Sequence, residues 1–402
     1  MGNNRNNYLM KNTIIFTLGN LGSKLISFFL IPLYTNALTT TEYGVIDLVA
    51  TVGTVAVPIL TINICESVMR FALDKDADNE KITQIGTNIL LIGMVVGFLI
   101  LPICHSFDKI SQYSIFVYFY VVSLAASQLY LCDLRGKELL VYYSIGNVLH
   151  TFFIAVLNIL FLLAFKEGIE GYLKAYIIAN TLTAIYALIM GKGYRSFSFL
   201  RVDKKLLQRM VKYSIVLIPN SFMWWIMNSS DRIMVSSMVG IAANGIYAVS
   251  YKLPTLVSTL TTIFNQAWSY SAIREEGTED EREYNNKIFK VLIGIVMLIG
   301  IGLVTFMKPF LSIYVAKEYY VAWKYTPFLT VGCVYLTLAS FMATSYTVHK
   351  DSFGYLFSGT FGAVFNIAMN FILIPWIGVY GAAIATCISY MLVFVFRLFH
   401  TR

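Results

Sequence analysis

The chain of 402 residues is 57% hydrophobic and 13% charged, with a mean hydropathy of +0.68. Aqueous globular proteins carry about 25% charged residues, so a soluble fold is excluded. The formal net charge of +8 does not make it a nucleic-acid binder, because most of the 30 Lys and Arg fall in alternate loops, where they orient the chain and touch anionic lipid.

Twelve stretches have the roughly 20 apolar residues that a bilayer span needs, near 12–36, 43–66, 84–104, 112–132, 141–165, 171–190, 211–238, 244–272, 288–308, 322–347, 353–374 and 377–399. The Lys and Arg asymmetry predicts both termini on the cytoplasmic side and the turn at 39–41 outside. In the first stretch Lys24 follows Asn20 and Ser23; it interrupts any cleavable signal core. It lies about 18 Å along the helix, too deep to snorkel easily, which predicts a wet cavity beside it.

The second stretch carries a small or polar row, Thr51, Thr54, Pro58, Thr61 and Cys65, with Asp47 at its outer end. Asp47 reads either as a hydrated acid at a helix start or as an ion-coupling group. At the inner end Glu66 and Arg70 stand four apart, as an interfacial salt bridge or an inner gate would. The run from Asp133 to Lys137 reads as a cytoplasmic anchor. The basic segment 191–212 reads as a linker between two six-helix bundles, 1–190 and 213–402. The five cysteines show no CxxC spacing and read as packing residues, with no disulfide framework, no metal site and no cofactor.

The chain is organised around 228–266. Asp231 and Arg232 interrupt its first apolar arm and Lys252 its second. Ionisable groups within a span cost about 2.5–3.5 kcal/mol on insertion scales and usually face a bundle interior or a cavity. Adjacent helical residues point about 100° apart, so Asp231 or Arg232 must find a partner on another helix. From Lys252 a polar row follows at helical spacing: Thr255, Thr259, Thr262 and Gln266. Subtracting 201, half the chain length, brings Lys252 and this row onto Thr51, Thr54, Pro58, Thr61 and Cys65 of the second stretch, and Gly245-Ile246-Tyr247 onto Gly44-Val45-Ile46. The chain therefore reads as two related halves.

Four motifs in order, ICESVMRFALD at 64–74, SSDRIMVSSMVGIAANGIYAVSYKLPTL at 229–256, FNQAWSYSAIREE at 264–276 and NIAMNFILIPWIGVYGAAIATCISY at 366–390, span nearly the whole chain. With them the sequence resembles the polysaccharide transporters that flip lipid-linked oligosaccharides, within the multidrug and oligosaccharidyl-lipid exporter superfamily. It departs from the family pattern at Asn36-Ala37-Leu38-Thr39, where Leu-Gly preceded by a basic residue is usual.

The resemblance implies an all-α membrane protein of two six-helix bundles, forming V shapes that alternate around a central cavity in a bacterial or archaeal inner membrane. It implies a polyprenyl-pyrophosphate-linked oligosaccharide as cargo, and a polysaccharide polymerase and glycosyltransferases as co-workers. A diphosphate needs cations, for which Lys24, Arg70, Arg232 and Lys252 are available; the sugar needs hydroxyl and amide groups, for which Asn228, Thr255, Thr259, Thr262 and Gln266 are available. The alternative within the superfamily is a drug or cation antiporter exchanging H⁺ or Na⁺ at Asp47, Glu66 or Asp231. A membrane glycosyltransferase or polymerase fits less well, since the outer loops are short and hold no paired carboxylates. A peptidoglycan precursor remains an alternative cargo for a flippase.

Overall fold

The computed structural model describes residues 24, 26–74, 76–104, 111–196, 202–274, 279–349 and 351–401. These residues are helical almost throughout, and no strand occurs among them. The α-helices are α1 Ile31–Ala37, α2 Thr40–Leu60, α3 Ile64–Ala72, α4 Asn79–Cys104, α5 Ser114–Gly136, α6 Leu140–Asn158 and α7 Gly168–Met190. They continue with α8 Lys204–Met238, α9 Ile241–Ser250, α10 Pro254–Arg274, α11 Glu281–Tyr314, α12 Thr326–Val348, α13 Ser352–Ile377 and α14 Val379–His400. Nine helices among the described residues are long and apolar enough to cross a membrane. Of the other three expected spans, most of the first lies outside the described residues. The seventh lies inside α8, and the eighth is broken between α9 and α10.

Two compact units emerge. The first comprises Met1–Leu38 and Leu48–Phe222, the second Thr39–Asp47 and Met223–Arg402. This division differs from bundles joined at 191–212. Both α2 and α8 pass from one unit to the other without a break, and only the first turns of α2 belong to the second unit.

In the first unit, the second expected span stops at 61–63, where Ile62 and Asn63 have φ of 52° and 53°. Asn tolerates this left-handed region, but a β-branched Ile there is strained. Neighbouring groups hold the break: Ser214 Oγ donates to the Asn63 carbonyl at 3.3 Å and to Ser67 Oγ at 2.8 Å, and Ser67 Oγ donates to the Met210 carbonyl at 2.6 Å. The break turns α3 so that Cys65 meets Cys132 of α5 in a disulfide, with the Cα atoms 5.9 Å apart. This corrects the reading of all five cysteines as packing residues; a pairing across 67 residues leaves no local spacing to read. The Asp133–Lys137 run is also more than an anchor. Asp133, 2% exposed, accepts from Thr83 Oγ1 and Lys137 Nζ, both at 2.6 Å, and Lys137 also donates to the Gly191 carbonyl. These bonds staple α4, α5 and the end of α7 together.

In the second unit, the start of α2 crosses α9 backbone to backbone. A Cβ on Gly44 would lie 2.0 Å from the Ile241 carbonyl oxygen, and one on Gly245 would lie 2.0 Å from that of Thr40. Only glycine permits such an approach. The 201-residue offset relates Gly44 to Gly245 and Thr40 to Ile241, so the crossing is self-similar. Helix ends keep the same register: α1 and α8 end at Ala37 and Met238, and α2 and α9 begin at Thr40 and Ile241.

Candidate translocation and coupling site

Asp231 and Arg232 both lie within the second unit, and their side chains go separate ways, as their helical spacing requires. Arg232 reaches the first turns of α2, where Nη1 donates to Asp47 Oδ1 at 2.5 Å. Its guanidinium carbon stands 5.5 Å from the centre of the Tyr251 ring, a cation–π distance. Asp47 is 7% exposed and also accepts from Asn244 Nδ2 at 3.2 Å. It is therefore no hydrated helix-start acid; the glycine crossing carries it inward against α8 and α9.

Asp231 is 2% exposed. Its Oδ2 accepts from Tyr247 at 2.5 Å, Tyr251 at 3.2 Å and Thr386 at 3.4 Å, and its Oδ1 accepts from the Arg232 backbone N–H at 2.9 Å. Asn366 Nδ2 donates to Thr386 Oγ1 at 3.4 Å, and Asn370 Nδ2 to Asn366 Oδ1 at 2.9 Å. Asn370 Oδ1 is buried with no partner among the described residues. Four helices, α8, α9, α13 and α14, thus contribute to a polar column centred on one carboxylate. Tyr247, Tyr251, Asn244 and Thr386 were missed as site residues by sequence reasoning. The i, i+4 spacing of the two tyrosines beside Asp231's helix was the available signal.

The row on α10 begins at the break 251–253. Lys252 is half-buried, Thr255 and Thr262 are exposed and Thr259 is half-buried. Thr255 Oγ1 donates to the Lys252 carbonyl in the break, and Thr259 and Thr262 donate to the carbonyls of Thr255 and Ser258 in their own helix. The Gln266 side chain lies outside the described residues. Asn228 is exposed and its Oδ1 accepts from Tyr390 at 3.3 Å.

In the first unit, Lys24 is exposed. The expected Glu66–Arg70 pair is replaced: Arg70 binds Asp74 at 2.7 Å, while Glu66 is exposed. Asp74, four residues on and just beyond the end of α3, is half exposed, as is Arg70. The polar row of α2 does not form one open face, since Thr51 and Thr61 are 3% and 5% exposed whereas Thr54 is exposed. The break at 61–63 turns its inner end away. A separate cleft of about 580 Å³, lined by Phe71, Asp74, Lys81, Asp203 and Arg209 among others, holds none of the candidates.

A family model described as polysaccharide biosynthesis protein matches residues 9–270, which include α2, α8, α9 and most of α10. The chain belongs to that family. No curated protein matches it by sequence. Among solved structures, the family member's fold is similar to an inward-facing multidrug resistance MATE family transporter of the MOP superfamily. That likeness has a TM-score of 0.73 at 15% identity, over 96% of this chain and 94% of the other. An outward-facing conformation of such a transporter gives 0.66 at 14% identity, over 98% and 94%. A MATE in complex with MaL6 gives 0.67 at 13% identity, over 98% and 95%. At these identities the likeness establishes the fold. The chain is thus a multi-pass membrane protein of the polysaccharide biosynthesis family with the fold of MATE transporters.

Proposed function

We propose that this protein is a flippase carrying a polyprenyl-pyrophosphate-linked oligosaccharide from the cytoplasmic to the outer leaflet, by alternating access of two six-helix bundles. In this reading both termini are cytoplasmic, in a bacterial or archaeal inner membrane. The observation that carries it is the row that leads into α10: a half-buried cation, Lys252, then exposed Thr255, half-buried Thr259 and exposed Thr262, each hydroxyl also bonded to a backbone carbonyl. A diphosphate and a sugar ask for that order of groups, because neither crosses hydrocarbon without substitutes for water. Family membership supports the same cargo class.

Arg232 has a different part in this mechanism from Lys252. Its charge is matched by Asp47, and in this reading Lys252 and Lys24 hold the phosphates. Asp231 is the candidate coupling group. Its carboxylate is held by two tyrosine hydroxyls that an incoming H⁺ or Na⁺ would displace or rearrange.

The second reading, an ion-coupled multidrug antiporter, draws on the same Asp231 column and on the fold. It is the weaker one because an antiporter needs an accessible acid for a cationic drug, and Asp47 and Asp231 are both buried and bonded. Complementation separates the two. In a flippase-null strain the gene should restore surface polysaccharide and clear the accumulated lipid-linked intermediate, and Lys252→Ala should fail to do so. Drug resistance without either effect would favour the antiporter.

A further inference from the structure

We propose that Cys65 and Cys132 form a redox-responsive pair at the cytoplasmic ends of α3 and α5, opened by cytosolic thiols and closed by oxidation to lock α3 onto α5. The inference rests on the sidedness of the reading above, and its consequence for transport rests on the cargo as well.

Sidedness gives the bond its meaning. α2 starts at the outer turn and runs inward, so α3, just beyond the break at 61–63, lies at the cytoplasmic face, as does the end of α5. Small thiols keep cysteines reduced in the cytosol, and the disulfides that do form there are mostly redox-sensing or catalytic. Both cysteines are half-buried, so a small thiol reaches them. Cys65 Sγ also stands 3.6 Å from the Gln128 carbonyl oxygen of α5, so the thiol has an acceptor once the bond opens. In the exchange, the thiolate of a glutathione-type thiol attacks one sulfur, and the other leaves as a thiolate that takes up a proton. A second thiol then frees the first cysteine from the mixed disulfide. Two small thiols become one disulfide, and the pair gains two electrons and two protons.

The bond joins two differently anchored parts. Cys132 precedes Asp133, whose bonds to Thr83 and Lys137 staple α4, α5 and the end of α7. Cys65 belongs instead to a nine-residue helix held by α8. Ser67 bonds the Met210 carbonyl and Ser214 there, and Asn63 Nδ2 donates to Ser221 Oγ at 3.4 Å. Otherwise α3 and α5 meet through small residues: a Cβ on Gly136 would lie 2.7 Å from Ala72 Cβ. The closed pair therefore fixes α3, and the start of α8 with it, to the staple. The open pair leaves α3 on α5 by packing and one weak hydrogen bond, free to follow α8.

The test uses the full-length protein with its native cysteines. In inverted vesicles an impermeant phosphine reductant should expose Cys65 and Cys132 to alkylation, read by peptide mass mapping, and oxidised glutathione should restore the bond. A pair that never bonds, that resists reduced glutathione, or that opens only in right-side-out vesicles would overturn the proposal. In nanodiscs, amide exchange over 64–72 should be about tenfold faster in the reduced protein than in the oxidised. Equal exchange would also overturn it.

In proteoliposomes, oxidation should slow flipping of a fluorescent polyprenyl-pyrophosphate oligosaccharide about threefold, and reduction should restore it. Cys65→Ser and Cys132→Ser should each flip at the reduced rate in both buffers, and an oxidation-sensitive rate in both variants would overturn the assignment to this pair. If neither redox form flips the lipid, the flippase reading fails, and the alkylation and exchange arms still decide the pair.

Discussion

Leu30, Ile31, Ile46 and Ala50 of the first half stand 201 residues before Asp231, Arg232, Tyr247 and Tyr251 of the second. Helix ends and the glycine crossing keep this register, so the two sets occupy matching places in the two halves. In the first half Leu30, Ile31 and Ile46 are buried at 7%, 3% and 3% exposure, as ordinary apolar packing. In the second half the same places hold a carboxylate, a guanidinium and two phenols, bonded to one another and to α2 and α14. A duplicated scaffold has thus kept its backbone geometry while these four places are ionisable or phenolic in the second copy alone. Apolar packing is enough to hold the first copy together, so the charges of the second are not demanded by the fold. Charges that the fold does not demand, kept within a membrane, point to a function.

The harshest way to break the comparison is to exchange chemistry between the copies. Leu30→Asp places a carboxylate where no tyrosine pair or arginine is matched to it. Destabilisation of about 3 kcal/mol or more is expected, seen as loss of monodisperse protein in detergent. Asp231→Asn, by contrast, keeps most of the hydrogen bonding, and the protein should remain folded with export lost. If Leu30→Asp were tolerated and Asp231→Asn unfolded the protein, the polar column would be scaffold rather than machinery.

The glycine pair tests the part that the copies share. Gly44→Ala and Gly245→Ala each drive a Cβ to within 2.0 Å of a backbone oxygen. Overpacking of this kind costs about 1–3 kcal/mol, and the two variants should lower the thermal midpoint in detergent by similar amounts. A large effect at one glycine alone would mean that the crossing is not self-similar.

These contrasts also show what could be read from the residues. The repeat was legible because Gly44-Val45-Ile46 and Gly245-Ile246-Tyr247 keep their spacing, and nearly all the expected spans correspond to helices because apolar length is a strong local signal. Asp231, Arg232 and Lys252 stood out because each interrupts an apolar run. Their partners did not. Asp47 meets Arg232 across 185 positions, and Tyr247 and Tyr251 look like ordinary aromatics of a span until Asp231 is seen beside them. The break at 61–63 was hidden for another reason. It uses Ile62 and Asn63 with no glycine, and the proline that loosens the helix, Pro58, lies a turn upstream. The Cys65–Cys132 bond depends on that break and was hidden with it.

Asp47 sharpens the comparison from the α2 side. Asp47→Asn leaves Arg232 half-buried and unmatched, whereas Asp47→Asn with Arg232→Gln removes both charges together. Breaking a buried pair from one side costs about 3–5 kcal/mol, and the partial exposure of Arg232 should reduce this to about 1–3 kcal/mol. The double variant should recover much of that loss. A double-mutant cycle on thermal stability measures the difference, and simple additivity would show that the two residues do not act as a pair.

The smallest expected effect, at Tyr251, comes from separating the two tyrosines. Tyr247 is 0% exposed and donates to Asp231 at 2.5 Å; Tyr251 donates to the same oxygen at 3.2 Å. Removing the shorter, charge-assisted bond by Tyr247→Phe should cost about 1.5–3 kcal/mol. Tyr251→Phe should cost about 0.5–1.5 kcal/mol, because the longer bond contributes less. Its ring also stays under Arg232, so the cation–π contact survives the change. Tyr251→Leu removes both, and the gap between the Phe and Leu variants then measures what the ring does for Arg232 alone. Thermal unfolding of the three variants in one detergent decides the order. If Tyr251→Phe were the worst of them, the phenol of Tyr251 rather than that of Tyr247 would be the main support of the Asp231 carboxylate, and the column would have to be redrawn around α9's last turn.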